Sequence, residues 1–239
     1  MQARLKFSTL LTSFGAVTVL ALGIALSGLP AHSAGAMYGA NIPSPQARLR
    51  QPADGKSAQA VLAGGCFWGM ELVFAHVKGV LNVVSGYAGG EQAHANYADS
   101  SSGRYGDAEA VRITYDPSKV SYGQLLHIFF SVAHDPTELN RQGPDVGPQY
   151  RSEIFAANAD QARVARAYIR QLDAAQVYGK PIATRVSVGE SFFPAEAWHQ
   201  NYAVRNPGSL YIRWNDIPKL HALEQRFPQR YTAQYADGM

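Results

Sequence analysis

Short apolar runs alternate with segments of helical apolar spacing from residue 58 onward, and this alternation most constrains how the chain can fold. An apolar run bounded by glycine or proline is typical of a buried strand. Apolar residues three or four positions apart, as at Phe67, Met70 and Phe74, are typical of a helix packed on a sheet. The predicted strands are 60–63, 80–87, 110–115, 154–155 and 184–188, and the predicted helices are 66–77, one capped by Ser121, 162–177 and a short one at 195–204. This order predicts helices layered on a sheet, with no internal repeat.

The N-terminal segment has the three parts of a secretory signal peptide. A basic start with Arg4 and Lys6 precedes an apolar run at 7–29, and then come Pro30 and small residues. We therefore predict a signal peptide at 1–34 and export across the inner membrane into the periplasm. The alternative is a membrane anchor formed by the apolar run, because its length approaches the ~20 residues that span a bilayer.

The next segment, 35–57, is rich in proline and other breakers, among them Pro43 and Pro45, and shows no apolar periodicity. We predict that it is an extended leader. The folded domain is expected at 58–239, with an extension from about residue 205 in which the pattern assigns no elements.

Composition excludes several classes of function. The chain has 21 Lys and Arg against 18 Asp and Glu, and residues 1–34 hold two of these cations and no acid, which leaves 19 against 18. So small a net charge argues against a nucleic-acid-binding surface. The single cysteine excludes an internal disulfide and any cysteine-based metal cluster, and the seven histidines lack the spacing of metal ligands. We predict no metal and no bound cofactor.

Two long polar loops, at 91–107 and 133–150, interrupt the pattern. Loops of this length in a compact domain are usually functional when they are ordered. The first holds Tyr97, and the second holds Asp145 and Tyr150. We therefore expect a site that is built from loops.

The only thiol, Cys66, lies at a predicted junction between a strand and a helix. A helix N-terminus favours the thiolate and lowers the pKa of a thiol placed there. The preceding Gly64 and Gly65 would let a substrate approach the backbone, and Phe67 and Trp68 would supply an apolar wall. The alternative is an inert cysteine buried in the core.

The segment Gly65-Cys66-Phe67-Trp68-Gly69-Met70-Glu71 resembles the active-site motif of the A-type peptide methionine sulfoxide reductases. Further blocks of this chain resemble the same family in order and spacing: 86–90, 108–111, 115–117, 134–137, 140–152 and 193–202. Together they span about residues 58–205. An ordered series of this kind is far more specific than one short match.

The resemblance implies an α+β fold, a two-layer α/β sandwich with a mixed β-sheet and a ferredoxin-like core. It implies reduction of the S-sulfoxide of methionine, in proteins or free, and hence repair of oxidised proteins. It assigns the attacking thiolate to Cys66, the acid to Glu109, the hydroxyls that hold the sulfoxide oxygen to Tyr97 and Tyr150, a supporting acid to Asp145, and the methyl pocket to Phe67 and Trp68.

Three departures from the family pattern have consequences. Pro144 replaces a common Asn, and Asp107 replaces the usual His two residues before Glu109, which puts the hydrogen bonds of the site in doubt. The resolving cysteines that many relatives carry near the C-terminus are missing. A sulfenic acid on Cys66 must then be reduced by an external thiol such as thioredoxin, glutaredoxin, glutathione or dithiothreitol. We expect a monomer.

Two other functions remain open on the residues alone. A Cys–His hydrolase would pair Cys66 with His134 or His199 as the base, and substitution of that histidine would abolish cleavage of an ester or amide. A non-catalytic module would use the aromatic pocket to bind methionine peptides, and Cys66→Ser would leave that binding intact.

Overall fold

A computed structural model of the protein describes residues 42–49 and 57–236. The predicted signal peptide or anchor lies outside these residues. Among the helices within them, none has the length and hydropathy that crossing a bilayer requires.

Six strands form one mixed sheet, and two more form a separate small hairpin. The strands are β1 Ala58–Gly64, β2 Val80–Ala88, β3 Ala108–Tyr115, β4 Arg141–Gln142, β5 Asp145–Val146, β6 Ser152–Ala156, β7 Arg185–Val188 and β8 Phe192–Pro194. The order across the sheet is β7-β6-β1-β3-β2-β8, and β4 pairs with β5. Within the main sheet β6 and β7 are parallel, whereas the other neighbours are antiparallel.

The helices vary from one turn to more than four turns in length. They are α1 Phe67–Ala75, α2 Tyr97–Ser101, α3 Tyr122–Ile128, α4 Ala159–Ala174, α5 Tyr202–Arg205 and α6 Ile217–Arg226. Short π-helical turns at Phe129–Ala133 and Ile212–Asp216 adjoin α3 and α6, and 3₁₀ turns lie at Gln92–His94 and Pro148–Tyr150.

The chain order β1-α1-β2-β3-α3-β6, with the spatial order β6-β1-β3-β2, is the split βαβ arrangement of a ferredoxin-like core. The predicted α+β fold with a mixed sheet is therefore confirmed. The predicted cap of α3 is also present, since Ser121 Oγ accepts from the backbone N–H of Gln124 at 3.2 Å and Gln124 Oε1 accepts from that of Ser121 at 2.9 Å.

Alternation along the strands divides the apolar residues between the two faces of the sheet. Leu62 and Val111 belong to the large core under the helices, whereas Ala63 and Ala110 belong to a small alanine-rich cluster on the other face. The large core thus lies beneath α1, the helix that begins directly after Cys66.

Several elements differ from the sequence prediction. The predicted polar loop at 91–107 contains α2, and the helix predicted at 195–204 is reduced to α5, with β8 placed before it. The largest difference lies beyond residue 205, where the periodicity assigned nothing. There α6 forms and packs against α1, a position that local sequence does not encode.

Part of the predicted leader contacts the domain. Ile42 is buried, and its carbonyl oxygen lies 3.1 Å from His127 Nε2. The carbonyl oxygen of Pro43 accepts from the Tyr168 hydroxyl of α4 at 2.8 Å. The segment 42–49 has no regular secondary structure, but at least these residues pack on the fold.

Candidate active site

Cys66 is the N-cap residue of α1, and one residue, Gly65, separates it from the end of β1. The turn between them needs Gly65, whose φ of +91° falls in the left-handed region. Gly65 is also covered closely, because a Cβ there would lie 2.5 Å from Cγ of Gln142. The space on the Cβ side of this glycine is therefore filled by a protein side chain.

The thiol of Cys66 differs from prediction in its acidity. Burial raises its pKa well above the ordinary value, and the negative charge of Glu109 acts in the same direction. The backbone N–H of Trp68, in the first turn of α1, acts to lower the pKa, as a helix start should, although the Cys66 side chain makes no cap hydrogen bond. Desolvation outweighs this effect, so the resting group is a thiol and the predicted lowered pKa is wrong.

Glu109 lies beside Cys66 near the start of β3 and is almost fully buried. Its Oε2 accepts from the backbone N–H of Phe67 at 3.0 Å, which holds the carboxyl group at the start of the helix that Cys66 caps, and the Cys66 side chain acts to lower the pKa of Glu109. Burial raises the pKa of Glu109 to about 8, and the charge of Asp145 contributes to the rise. The raised pKa expected of an acid in a dry pocket is therefore present.

The residues from the two loops converge on this pair. Tyr150 follows the hairpin β4–β5 and is half-buried. Burial raises its pKa, and so do the negative charges of Glu109, Asp145, Cys66 and Tyr97, which places its hydroxyl within their fields. Tyr97 begins α2 and is 42% exposed, so its ring lies at the mouth of the site.

The aromatic residues after Cys66 have different surroundings. Phe67 is buried, and its ring centroid lies 4.8 Å from that of His199. Trp68 is half-buried and stacks on Tyr202 at 3.8 Å, with an angle of 12° between the rings. Its indole N–H donates to His199 Nδ1 at 3.1 Å, so the plane of Trp68 is fixed on one side of the site.

The hydrogen bonds of the two candidate bases disfavour a hydrolase. His134 is buried, with Nδ1 3.1 Å from the carbonyl oxygen of Phe129 and Nε2 2.7 Å from Ser152 Oγ. Nδ1 of His199 accepts from Trp68, and its Nε2 has no hydrogen-bond partner among the described residues. Burial lowers the pKa of each imidazole to about 4. Neither histidine is therefore hydrogen-bonded to Cys66 as a base.

Sequence reasoning missed a group of site residues from the C-terminal segment. The hydroxyl of Tyr211 donates to Asp145 Oδ2 at 2.5 Å. Burial raises the pKa of this phenol, and the charge of Cys66 adds to the rise, so the phenol lies within the field of the sulfur. Asp216 and Lys219 form a buried ion pair at 3.1 Å. The Asp216–Lys219 spacing was visible in the sequence, but an i,i+3 pair of opposite charges usually lies on a solvated helix face.

The two substitutions in the family pattern have different locations. Pro144 is exposed in the turn between β4 and β5, where Gln142 pairs with Asp145. Asp107 is buried, and neither of its carboxyl oxygens has a hydrogen-bond partner among the described residues. Burial raises its pKa to about 6, and the guanidinium of Arg151 opposes that rise.

Comparison with known proteins identifies relatives of the whole domain. The family model described as peptide methionine sulfoxide reductase matches residues 58–231. The peptide methionine sulfoxide reductase MsrA 2 of Mesorhizobium japonicum is 55% identical over 176 residues, which cover 74% of this chain and 90% of that protein. The protein of the same name from Synechocystis is 51% identical over 176 residues, which cover 74% and 82%.

Solved structures give the same result for the fold. Reduced Mxr1 from Saccharomyces cerevisiae matches with a TM-score of 0.60 and 31% identity, over 69% of this chain and 92% of that one. Methionine sulfoxide reductase A of Corynebacterium diphtheriae matches with a TM-score of 0.56 and 32% identity, over 70% and 83% of the two chains.

Proposed function

The chain belongs to the A-type peptide methionine sulfoxide reductases, enzymes that reduce methionine sulfoxide and repair oxidised proteins, and we propose that Cys66 and Glu109 perform this reduction together. The observation that carries the proposal is the position of the Glu109 carboxyl group: its Oε2 accepts at 3.0 Å from the backbone N–H of Phe67, the residue next to Cys66, in a pocket where burial raises the pKa of both side chains. Each group therefore holds its proton at neutral pH.

These two protons balance the reaction. The sulfur of Cys66 attacks the sulfoxide sulfur, Glu109 donates its proton to the sulfoxide oxygen, and the thiol proton returns to Glu109. The attack forms a bond between the two sulfurs. The substrate S–O bond and this sulfur–sulfur bond then break as the hydroxyl group passes to the sulfur of Cys66. The products are methionine and a sulfenic acid, so that two electrons move from the cysteine sulfur to the substrate.

The remaining site residues bind and orient the substrate in this mechanism. The hydroxyls of Tyr97 and Tyr150 hold the sulfoxide oxygen, as donors placed where negative charge develops. Trp68, fixed by His199 and Tyr202, forms the wall against which the methyl group packs, and Phe67 supports it from the core. Asp145 positions the phenol of Tyr211 near the sulfur.

Recycling of Cys66 follows from the cysteine count. The chain holds one cysteine, so the sulfenic acid has no second thiol with which to form an internal disulfide. A small thiol or a thioredoxin- or glutaredoxin-like protein attacks it, and a mixed disulfide forms with loss of water. A second thiol then releases Cys66.

The decisive experiment uses separated sulfoxide epimers of a methionine peptide. We expect the wild type to reduce the S epimer with dithiothreitol, glutathione or thioredoxin, and Cys66→Ser to bind the peptide without turnover. After one turnover without a reductant, mass spectrometry of the wild type should show a sulfenic acid on Cys66. Product formation with an unmodified Cys66 would refute the mechanism. Full activity of Cys66→Ser would show that Cys66 does not perform the reduction and has at most a role in binding.

We propose further that residues 1–34 direct export to the periplasm, where the enzyme acts as a monomer on oxidised proteins. The basic start and the apolar run support export. Fractionation with N-terminal sequencing checks it: a mature periplasmic chain that begins near residue 35 is expected, whereas an intact membrane-bound chain favours the anchor formed by 7–29. Sedimentation of the mature chain checks the monomer.

A further inference from the structure

The C-terminal segment places an ion pair beneath the helix that begins at Cys66. Asp216 ends the π-helical turn Ile212–Asp216, and Lys219 lies in the first turn of α6. Both side chains are almost completely buried, and Nζ lies 3.1 Å from Oδ1. A buried ion pair incurs a desolvation cost and is weak evidence for a role in stability, so its place in the fold needs another explanation.

Gly69 brings this pair against the backbone of α1. A Cβ at this position would overlap Asp216 Oδ1 and would lie 2.8 Å from Lys219 Nζ. The φ angle of Gly69 is not in the left-handed region, so its backbone conformation does not require glycine. The residue is needed for close approach: it lets Asp216 and Lys219 reach the first turn of the helix that Cys66 caps.

The charge of Asp216 acts on the sulfur. Asp216 is among the groups that raise the pKa of Cys66, and its Oδ2 has no hydrogen-bond partner among the described residues. Burial raises the pKa of Asp216, and the ammonium of Lys219, 3.1 Å away, opposes that rise and favours the ionised form. Glu109 is largely protonated at neutral pH. The other described titratable groups whose fields reach the thiol are Asp145, Tyr150 and Tyr211.

A single-cysteine reductase has a particular need for a protonated resting thiol. A thiolate reacts with hydrogen peroxide: the S–O bond forms, the O–O bond breaks, the sulfur loses two electrons, and hydroxide leaves. A second equivalent of peroxide converts the sulfenic acid into a sulfinic acid, which thiols do not reduce. With one cysteine in the chain, no neighbouring thiol can trap the sulfenic acid first.

We propose that Asp216, held by Lys219 beneath the first turn of α1, is a positioning residue that keeps Cys66 protonated between turnovers and thereby protects it from over-oxidation by peroxides. The inference rests on the proposed function only in that Cys66 is the reacting thiol. Binding of the sulfoxide then starts the proton transfer through Glu109.

The test is the pH dependence of Cys66 alkylation by iodoacetamide, measured without sulfoxide in the wild type and in Asp216→Asn. The amide oxygen of the variant can still accept from Lys219. We expect the inflection to move about one pH unit lower and alkylation at pH 7 to become about threefold faster, because a thiolate of lower pKa is more abundant but less nucleophilic. Sulfinic acid formation in hydrogen peroxide, followed by mass spectrometry, should accelerate to a similar extent.

The matched control is Asp160→Asn, which removes the acid of an exposed i,i+3 pair with Arg163, at 3.5 Å, and should leave the profile unchanged.

If Asp216→Asn does not fold, Asp216→Asn/Lys219→Met removes both charges and should also move the inflection to lower pH. A folded variant of either kind with the wild-type inflection or a higher one overturns the proposal, as does a wild-type inflection at or below the ordinary value for cysteine. Failure of the proposed function would instead appear as a wild type that does not reduce sulfoxide.

Discussion

Cys66 and Glu109 are both buried at the start of α1, and burial raises the pKa of both side chains. At the scale of residues, the important property is therefore that both adjacent side chains are protonated at neutral pH. A helix start alone would have produced a thiolate. The carboxyl group is competent as an acid only while it is protonated, which links the activity directly to the pKa of Glu109, about 8.

Glu109→Gln should lower kcat/KM by about 10²- to 10⁴-fold, because an amide cannot donate a proton to the sulfoxide oxygen and regain one from the thiol. In the wild type, kcat/KM should fall as pH rises through about 8, where Glu109 loses its proton, and the residual activity of the variant should lack this limb. Initial rates from pH 5 to 10 measure both effects. Glu224→Gln, at an exposed glutamate, is the control, and an unchanged descending limb in Glu109→Gln would contradict the assignment.

His199→Ala should raise KM for the sulfoxide peptide and lower the free energy of unfolding by about 1–3 kcal/mol, because the indole N–H of Trp68 loses its acceptor. His199→Asn restores an acceptor near the position of Nδ1 and should recover part of both losses. Steady-state kinetics and denaturant unfolding give the two values, with exposed His221→Asn as the control. Equal KM values for His199→Ala and the wild type would show that Trp68 needs no such support.

Different secondary structure elements position different residues of the site. The end of β1 and the start of α1 place the thiol, β3 places the acid, and the hairpin β4–β5 with the turn after it brings Asp145 and Tyr150. Helix α3 belongs to the scaffold instead, and its N-terminus is closed by the capping box of Ser121 and Gln124. Stability and chemistry should therefore be separable at the scale of elements.

Ser121→Ala should lower the free energy of unfolding by about 1 kcal/mol, since the first turn of α3 loses the acceptor for the N–H of Gln124. Because α3 supplies none of the residues around Cys66, kcat/KM should not change. Urea unfolding followed by circular dichroism provides the stability, and Ser118→Ala, which removes an exposed turn hydroxyl, serves as the comparison. A large loss of activity in Ser121→Ala would show that α3 is coupled to the site.

For the molecule as a whole, the C-terminal segment completes the active site rather than forming an appendage. Ile212 is fully buried in a cluster with Leu72 of α1 and Ala203 of α5, whereas Trp214, two positions further on, is 78% exposed. The same segment supplies the phenol of Tyr211 and the carboxylate of Asp216 to the thiol. Its packing on α1 therefore contributes to the stability of the domain and also positions residues of the active site.

Ile212→Ala should cost about 2–5 kcal/mol of unfolding free energy, because it leaves a cavity between the C-terminal segment and α1. It should also reduce turnover, since Tyr211 and Asp216 depend on the same packing. Trp214→Ala, at the exposed neighbour, should change the stability by no more than about 0.5 kcal/mol. Thermal unfolding and single-turnover rates of the pair decide the matter: equal effects of the two substitutions would contradict the packing described here.

Local pattern determined much of the fold. The apolar periodicity of the sequence correctly predicted β1, α1, β2, β3 and α4, because each of these elements buries one face and the spacing of its apolar residues follows that face. The cap of α3 was also predicted correctly. The ordered motifs identified the family and the candidate site residues from Cys66 to Tyr150, because these residues lie in motifs whose order and spacing resemble those of the family.

Only the tertiary structure decided the electrostatic state of the site and the role of the C-terminal segment. The pKa of Cys66 depends on how completely water is excluded, and that exclusion is produced by residues distant in sequence. Likewise, Asp216 and Lys219 have the spacing of an ordinary surface pair, and only the packing of α6 against α1 buries them beside Gly69. The sequence determines which chemical groups are present. The distances between these groups, and the exclusion of water from them, are set only when the chain folds.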